Sequence, residues 1–355
     1  MSLADLISSS HKEIVGSRTK NRLTVQISYA IQLIIDYYST NFLIMMDYIE
    51  DISVITNPDN PDEIHLYQVK TKTTDRQYTL STIISDKWFQ KLYRNAEKFK
   101  PYLTDASMVC NTDIISSNTV VFPNERTLLD DPKIQSNIIK IRKAISKDLK
   151  IPLDDVDLSK FYFIRTSLSV NRHKEEAEYQ FQHFLFDMDN DIQLATTRSI
   201  YTLLYDTLDK QFNSEINEDC TDIQEIYRKK GLQSSEIKTI IDCGLAIQLP
   251  DLGKLFAEYN IKSLIEKRKY SSIYPQIKID FYSNIHVFSA LKNTILSVVN
   301  TKIESGISSF DKLLEETYKE ISSDASLPQI FRDEHYLKLL IMVIGYKYCN
   351  GSINL

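Results

Sequence analysis

The chain has 355 residues, 43% hydrophobic and 25% charged, with a formal net charge of −6. This is the balance of an ordinary soluble globular protein, long enough for two domains, and it lacks the strongly basic footprint of many nucleic-acid binders. Four cysteines (Cys110, Cys220, Cys243, Cys349) lie far apart, which excludes a zinc or disulfide framework built on paired spacing and fits a reduced, cytoplasmic setting.

In chain order, residues 1–15 read as a polar lead-in with a short helix and no basic start followed by an apolar core, so no secretory leader is expected. Over 20–38, Leu23, Ile27, Ala30, Ile31, Ile34 and Ile35 recur at helical spacing and predict an amphipathic helix with Gln26 at the edge of its stripe. Two strands follow: MDYIEDISVI (46–55) and IHLYQVKTK (64–72), separated by the breaker-rich TNPDNPDE, a hairpin with a long turn. Thr79 is placed to cap a helix through Trp88 and Phe89 to Phe99, stopped by Pro101. ASMVCN (106–111) reads as a buried strand, 127–149 as a helix, 161–168 as a strand, and 173–188 and 195–213 as helices. Strands interleaved with helices predict an α/β domain around a mixed sheet of roughly four or five strands.

The polar, acidic stretch FNSEINEDCTD marks the expected boundary, giving domains 1–215 and 216–355. Beyond it, helices are expected at 222–230, 234–245, 250–267, 285–302, 306–323 and 326–348, with no repeat or low-complexity segment. The apolar run at 336–348 contains Lys338 and Lys347 and is too short to span a membrane, so a buried helix is expected.

The chemistry concentrates in the predicted hairpin. Glu50 and Asp51 lie on its first strand, and Gln68 and Lys70 on its second. Strand side chains alternate, so Gln68 and Lys70 share one face. A register that puts Asp51 opposite either of them closes a small polar site. Mg²⁺ takes hard oxygen ligands and keeps several waters, so a carboxylate and an amide oxygen suffice beside a substrate phosphate. A lysine nearby would orient water and offset negative charge at phosphorus. The same residues also fit a plain charged hairpin, and Gln-x-Lys recurs by chance.

Local basic groups occur despite the acidic balance, each fitting either a phosphate contact or a solvated helix face: Arg18, Lys20 and Arg22; Lys70, Lys72 and Arg76; and Lys87, Lys91, Arg94, Lys98 and Lys100. Gly16-Ser17-Arg18-Thr19 precedes the first helix, where Thr19 fits either a plain N-cap or a phosphate contact. Six histidines form no H-x-x-x-H or H-E pair, and no phosphate-loop motif occurs. His65, on the opposite strand face from Gln68, reads as a surface or core histidine.

Taken together, GSRTKNRLTVQISYAIQLIIDYY (16–38), the ED-I at 50–52, QVKTK at 68–72 and MVCN at 108–111 resemble the endonuclease domain of the CD-NTase-associated anti-phage effectors. That domain is a Gln-x-Lys variant of the PD-(D/E)xK restriction-endonuclease superfamily, found also in the nuclease subunit of Lamassu-type systems. The resemblance runs to about residue 200. It implies a restriction-endonuclease-like α/β domain with a central mixed sheet, followed by a mostly helical region. Carried over, Asp51 and Gln68 are the metal ligands, Lys70 the catalytic lysine and Gln26 the helix glutamine near the site. Asp47 or Glu50 supplies a further acid, and Arg18, Thr19 and Lys72 lie beside DNA. It further implies Mg²⁺, with Mn²⁺ as a substitute, double-stranded DNA as substrate, a homo-oligomer, and an SMC-like ATPase with an accessory subunit as partners. A non-catalytic nuclease-like scaffold, and cleavage of RNA or single strands, stay open as alternatives. The helical C-terminal region shows no clear match to a second-messenger sensor and is expected to restrain the nuclease or assemble it.

Overall fold

A computed structural model describes residues 2–9, 20–72, 77–189, 192–216, 220–246, 250–283, 285–324 and 327–350. Arg18, Thr19 and Arg76 lie outside the described residues. Short α1 (Leu3–Ser8) starts on a Ser2–Asp5 capping box, and α2 (Lys20–Tyr37) is the expected amphipathic helix. The chain then forms β1 (Phe42–Met46), β2 (Ile52–Thr56), β3 (Glu63–Lys70) and β4 (Tyr78–Thr79). Next come α3 (Leu80–Ser85), α4 (Trp88–Lys98), β5 (Leu103–Cys110), β6 (Ile114–Ser116), β7 (Thr119–Val120) and β8 (Arg126–Leu128). They are followed by α5 (Gln135–Leu149), β9 (Phe161–Arg165), α6 (His173–Met188), α7 (Leu194–Asn213), α8 (Ile223–Lys230) and β10 (Gly231–Gln233). The rest is helical: α9 (Ser234–Ala246), α10 (Leu252–Glu258), α11 (Leu264–Ser283), α12 (Ile285–Glu304), α13 (Phe310–Ser322) and α14 (Glu334–Cys349).

The main sheet is mixed, as expected, but has seven strands in the order β10-β1-β2-β3-β5-β9-β8. β1, β2 and β3 are antiparallel, and β3, β5 and β9 are parallel. β8 and β10 add antiparallel edges. The β2–β3 hairpin turns where the breakers predicted. Asn57 adopts a left-handed φ of 49°, which Asn tolerates better than most side chains. Its amide and the Thr56 hydroxyl donate to Asp62 at 3.0–3.1 Å, fixing the register in which Ile52 faces Tyr67.

Several expected elements break or shift. The expected strand 46–55 is a turn followed by β2, because Asp47 takes a left-handed φ of 47° and its N–H donates to the Asp51 carbonyl at 3.0 Å. The helix ending at Phe99 splits at Lys87, again left-handed. The start of the 127–149 helix is instead β8 and a short 3-10 turn. The expected helix over 250–267 stops at Glu258 and a new one starts at Leu264, with Asn260 left-handed between them.

By packing, the chain forms one unit of 1–184 with 204–236 and a second of 185–203 with 237–355. The expected boundary at 215/216 therefore falls inside the first unit. The reason is backbone pairing: β10 hydrogen-bonds along β1, Leu232 facing Ile44. In the first unit one sheet face buries Leu66, Ala106, Met108, Phe161 and Phe163 with Phe89, Leu92 and Ala96 of α4 and Ile138 and Ile141 of α5. On the other face α2 covers the sheet, its Tyr29 ring meeting Tyr67 edge-on at 6.1 Å. The second unit packs Leu255, Tyr259, Ile295, Val299, Leu314 and the apolar run of α14 into its own core. Among the described residues, no helix is long and apolar enough to cross a membrane.

Candidate active site

The site forms at the C-terminal end of β3. Continuing the β2–β3 register one step past Ile52–Tyr67 brings Asp51 level with Gln68. Asp51 lies just before β2, in the turn that Asp47 closes. Its Oδ2 accepts the Val69 backbone N–H at 2.7 Å. The carboxylate thus continues the ladder just before β2 begins, and it is held beside the residue that separates Gln68 from Lys70.

Glu50, the preceding residue, points into the same corner. Its Oε2 accepts from Gln68 Nε2 at 3.4 Å and its Oε1 from Asn95 Nδ2 of α4 at 2.9 Å. Glu50 and Gln68 are each only 8% exposed. A carboxylate can only accept, so it turns the NH₂ end of the Gln68 amide toward itself. Gln68 Oε1 is left buried with no hydrogen-bond partner, a costly position for a strong acceptor. Of the two acids left open by the sequence, Glu50 is the one bonded to Gln68, whereas the Asp47 backbone shapes the turn.

Lys70 follows on the same face as Gln68, half-buried, and makes no ion pair among the described residues. The end of β3 is held by Asn111, whose side chain accepts from the Lys72 N–H at 2.9 Å and donates to its carbonyl at 3.0 Å. This gives the MVCN segment a structural role beyond burial. The Lys72 ammonium lies 4.4 Å from the Tyr78 ring centroid and donates to the Gln77 carbonyl.

Gln26 is buried, and its Oε1 has no hydrogen-bond partner. It lies one helical turn before Tyr29, whose ring packs on Tyr67, so α2 presents it on the sheet face opposite Gln68. No hydrogen bond joins it to Asp51, Gln68 or Lys70 among the described residues. His65 is a core histidine: its Nδ1 lies 3.1 Å from Asp105, which also takes the Arg126 guanidinium at 3.0 Å. Sequence reasoning missed Asn95. It sits on a helix predicted for other reasons, and nothing local marks it.

Among the described residues no group of three or more His, Cys, Asp or Glu comes together as a metal cage. The oxygens gathered at β3 are instead two carboxylates and one amide. An unpartnered amide oxygen on a side chain that is bonded to Glu50 and level with Asp51 fits a hard, partly hydrated divalent cation, which is bound through few protein ligands.

Residues 14–211 match the family model described as Cap4, dsDNA endonuclease domain. The chain is also similar to the Lamassu protein LmuA of Bacillus cereus (strain VD014), with 26% identity over 265 residues, 74% of each protein. No solved structure matches it.

Proposed function

The chain belongs to the Cap4 dsDNA endonuclease domain family, and from that premise we propose that it is a Mg²⁺-dependent endonuclease cutting double-stranded DNA as the effector of an anti-phage defence system. The observation that carries the reading is the buried, unpartnered Oε1 of Gln68, a residue bonded through its Nε2 to Glu50 and level with Asp51, with Lys70 next along the same face.

In this reading Asp51 and Gln68 would hold the cation, and Mn²⁺ would substitute for Mg²⁺. The metal supplies a polarised phosphoryl oxygen and a more acidic bound water. Asp51 is pre-positioned by the Val69 N–H, so its carboxylate need not reorganise. Lys70 orients the attacking water and offsets charge building on the phosphate. Lys72, fixed by Asn111 and Tyr78, tracks the DNA backbone, and Arg18 and Thr19, which lie outside the described residues, are the further proposed phosphate contacts. Gln26, presented on the opposite sheet face, takes no direct part in this reading. The helical second unit restrains the nuclease or assembles it into an oligomer. An SMC-like ATPase and an accessory subunit are the proposed partners, in the cytoplasm; the similarity to a Lamassu protein supports a place in a defence system.

The test incubates the purified chain with supercoiled plasmid, single-stranded DNA or RNA, in Mg²⁺, Mn²⁺ or chelator, beside Lys70→Ala. Plasmid linearisation that needs the metal and Lys70 supports the reading. Plasmid cleavage that persists in Lys70→Ala means the site is misassigned, and cleavage of RNA alone moves the substrate class.

A further inference from the structure

Deepening that reading, and resting on it, we infer that Glu50 and Asn95 are positioning residues that set which end of the Gln68 amide meets the metal. The two ends of an amide are close in shape but opposite in chemistry, one two acceptor lone pairs and the other two donors. An inverted Gln68 would present N–H groups to a cation and repel it. A glutamine in a metal site therefore needs a neighbour that recognises one end, a requirement a glutamate lacks because both its carboxylate oxygens accept.

Here that neighbour is an acid. Glu50 is buried and accepts from Gln68 Nε2 at 3.4 Å, which assigns Oε1 to the far side. Glu50 is in turn fixed from α4, because Asn95 Nδ2 donates to its other oxygen at 2.9 Å. With Glu50 ionised, the chain Asn95→Glu50←Gln68 has donors at both ends and an acceptor between them, which fixes its direction. It leaves one buried acceptor over, Gln68 Oε1. Glu50 thus also explains why this strand carries Gln-x-Lys. A glutamate at 68 would put two carboxylates in contact in a site shielded from water, where like charges strongly disfavour each other's ionised form.

Outer groups that orient metal ligands affect affinity by about 10–100-fold, and three variants separate the roles. In Glu50→Gln, Asn95 still donates to the new amide oxygen, but the new NH₂ turns toward Gln68 and draws its Oε1 away. In the exchange variant Glu50→Gln/Gln68→Glu the same NH₂ donates to a carboxylate, whose second oxygen still faces away from residue 50. In Asn95→Leu the α4 end of the chain is lost.

Mn²⁺ binding by the full chain is measured by calorimetry and by the free Mn²⁺ resonance signal, with melting temperature as the check on folding. Glu50→Gln and Asn95→Leu are expected to weaken binding at least about tenfold, and the exchange variant to return to within about threefold of wild type. An exchange variant no better than Glu50→Gln overturns the inference, since Glu50 then acts on the metal directly. Wild-type affinity in a folded Asn95→Leu removes Asn95 from it. A folded wild-type chain that binds no Mn²⁺ overturns the metal reading itself. Wild-type binding that Glu50→Gln leaves unchanged overturns only the orientation inference.

Discussion

Replacing Asp51 separates its structural duty from its proposed chemical one. The carboxylate accepts a hydrogen bond from the Val69 N–H at 2.7 Å just before β2 begins, a charge-assisted bond worth about 1.5–3 kcal/mol net. Asp51→Ala deletes the acceptor and leaves a partly buried donor unmatched, so the cost is about 2 kcal/mol. In a unit of this size that lowers the melting temperature by roughly 4–8 °C. Asp51→Asn keeps an acceptor oxygen in the same place and loses only the charge, a cost of about 1 kcal/mol and roughly 2–4 °C. On activity the two should not differ. Both remove the charge proposed to hold the cation, with a loss of about 10²–10³ in cleavage rate, or roughly 2.7–4 kcal/mol of transition-state stabilisation. Calorimetric melting paired with plasmid cleavage reads both quantities. Asp51→Asn cleaving within tenfold of wild type would refute the metal role, and Asp51→Ala melting with the wild type would refute the strand-end bond.

Gly231→Ala should loosen the sheet edge. A Cβ there would come 2.6 Å from a Leu43 methyl and 2.8 Å from the Tyr227 carbonyl, an overpacking of about 1–3 kcal/mol visible as faster amide exchange in β1. His173, set between Ser28 at 2.7 Å and Thr24 at 3.3 Å, has its pKa pulled below 6.5 by burial. The unfolded chain therefore takes up a proton near pH 6.5 while the folded one does not. Stability should fall as pH drops through that value, and His173→Gln should flatten the melting-temperature profile between pH 7 and 5.5. Lys347, whose ammonium donates to the Leu245 carbonyl, has its pKa lowered from 10.5 to about 8 by burial. Below pH 8 its charge costs on the order of 3 kcal/mol, a cost that fades as pH rises from 8 to 10.5. Lys347→Met should raise the melting temperature at pH 7, by a net of about 1–2 kcal/mol after the lost hydrogen bond, and should abolish that alkaline rise.

The elements legible in the sequence had a clean period or a clear punctuation mark. The stripe of α2 and the breakers at 57–62 gave a helix and a hairpin where the structure has them, and α6 and α8 match to within a residue. β1 stayed hidden because FLIMM is buried on both faces, so it has no alternation to read. β8 and β10 are three-residue edges whose strand character comes only from the partner they lie against. α11 has no counterpart among the expected elements beyond residue 267, and it carries Pro275 inside the helix, a residue that ordinarily breaks one. At the site, the spacing of Asp51, Gln68 and Lys70 was enough to bring them to one strand end. The amide's orientation was not readable, because it depends on Asn95 arriving from a helix on the far side of a loop.

Because Gly231–Gln233 pairs with β1, the nuclease sheet is closed by residues that lie some way past position 211, where the family match stops. During synthesis the β1 margin must wait, with its peptide groups facing water, until that late segment leaves the ribosome. A fragment trimmed at the end of the recognisable family region would keep every proposed site residue yet carry an open flank of main-chain donors and acceptors. Such a flank invites β-pairing with a neighbouring copy, so the trimmed nuclease should precipitate where one extended to 236 stays dispersed.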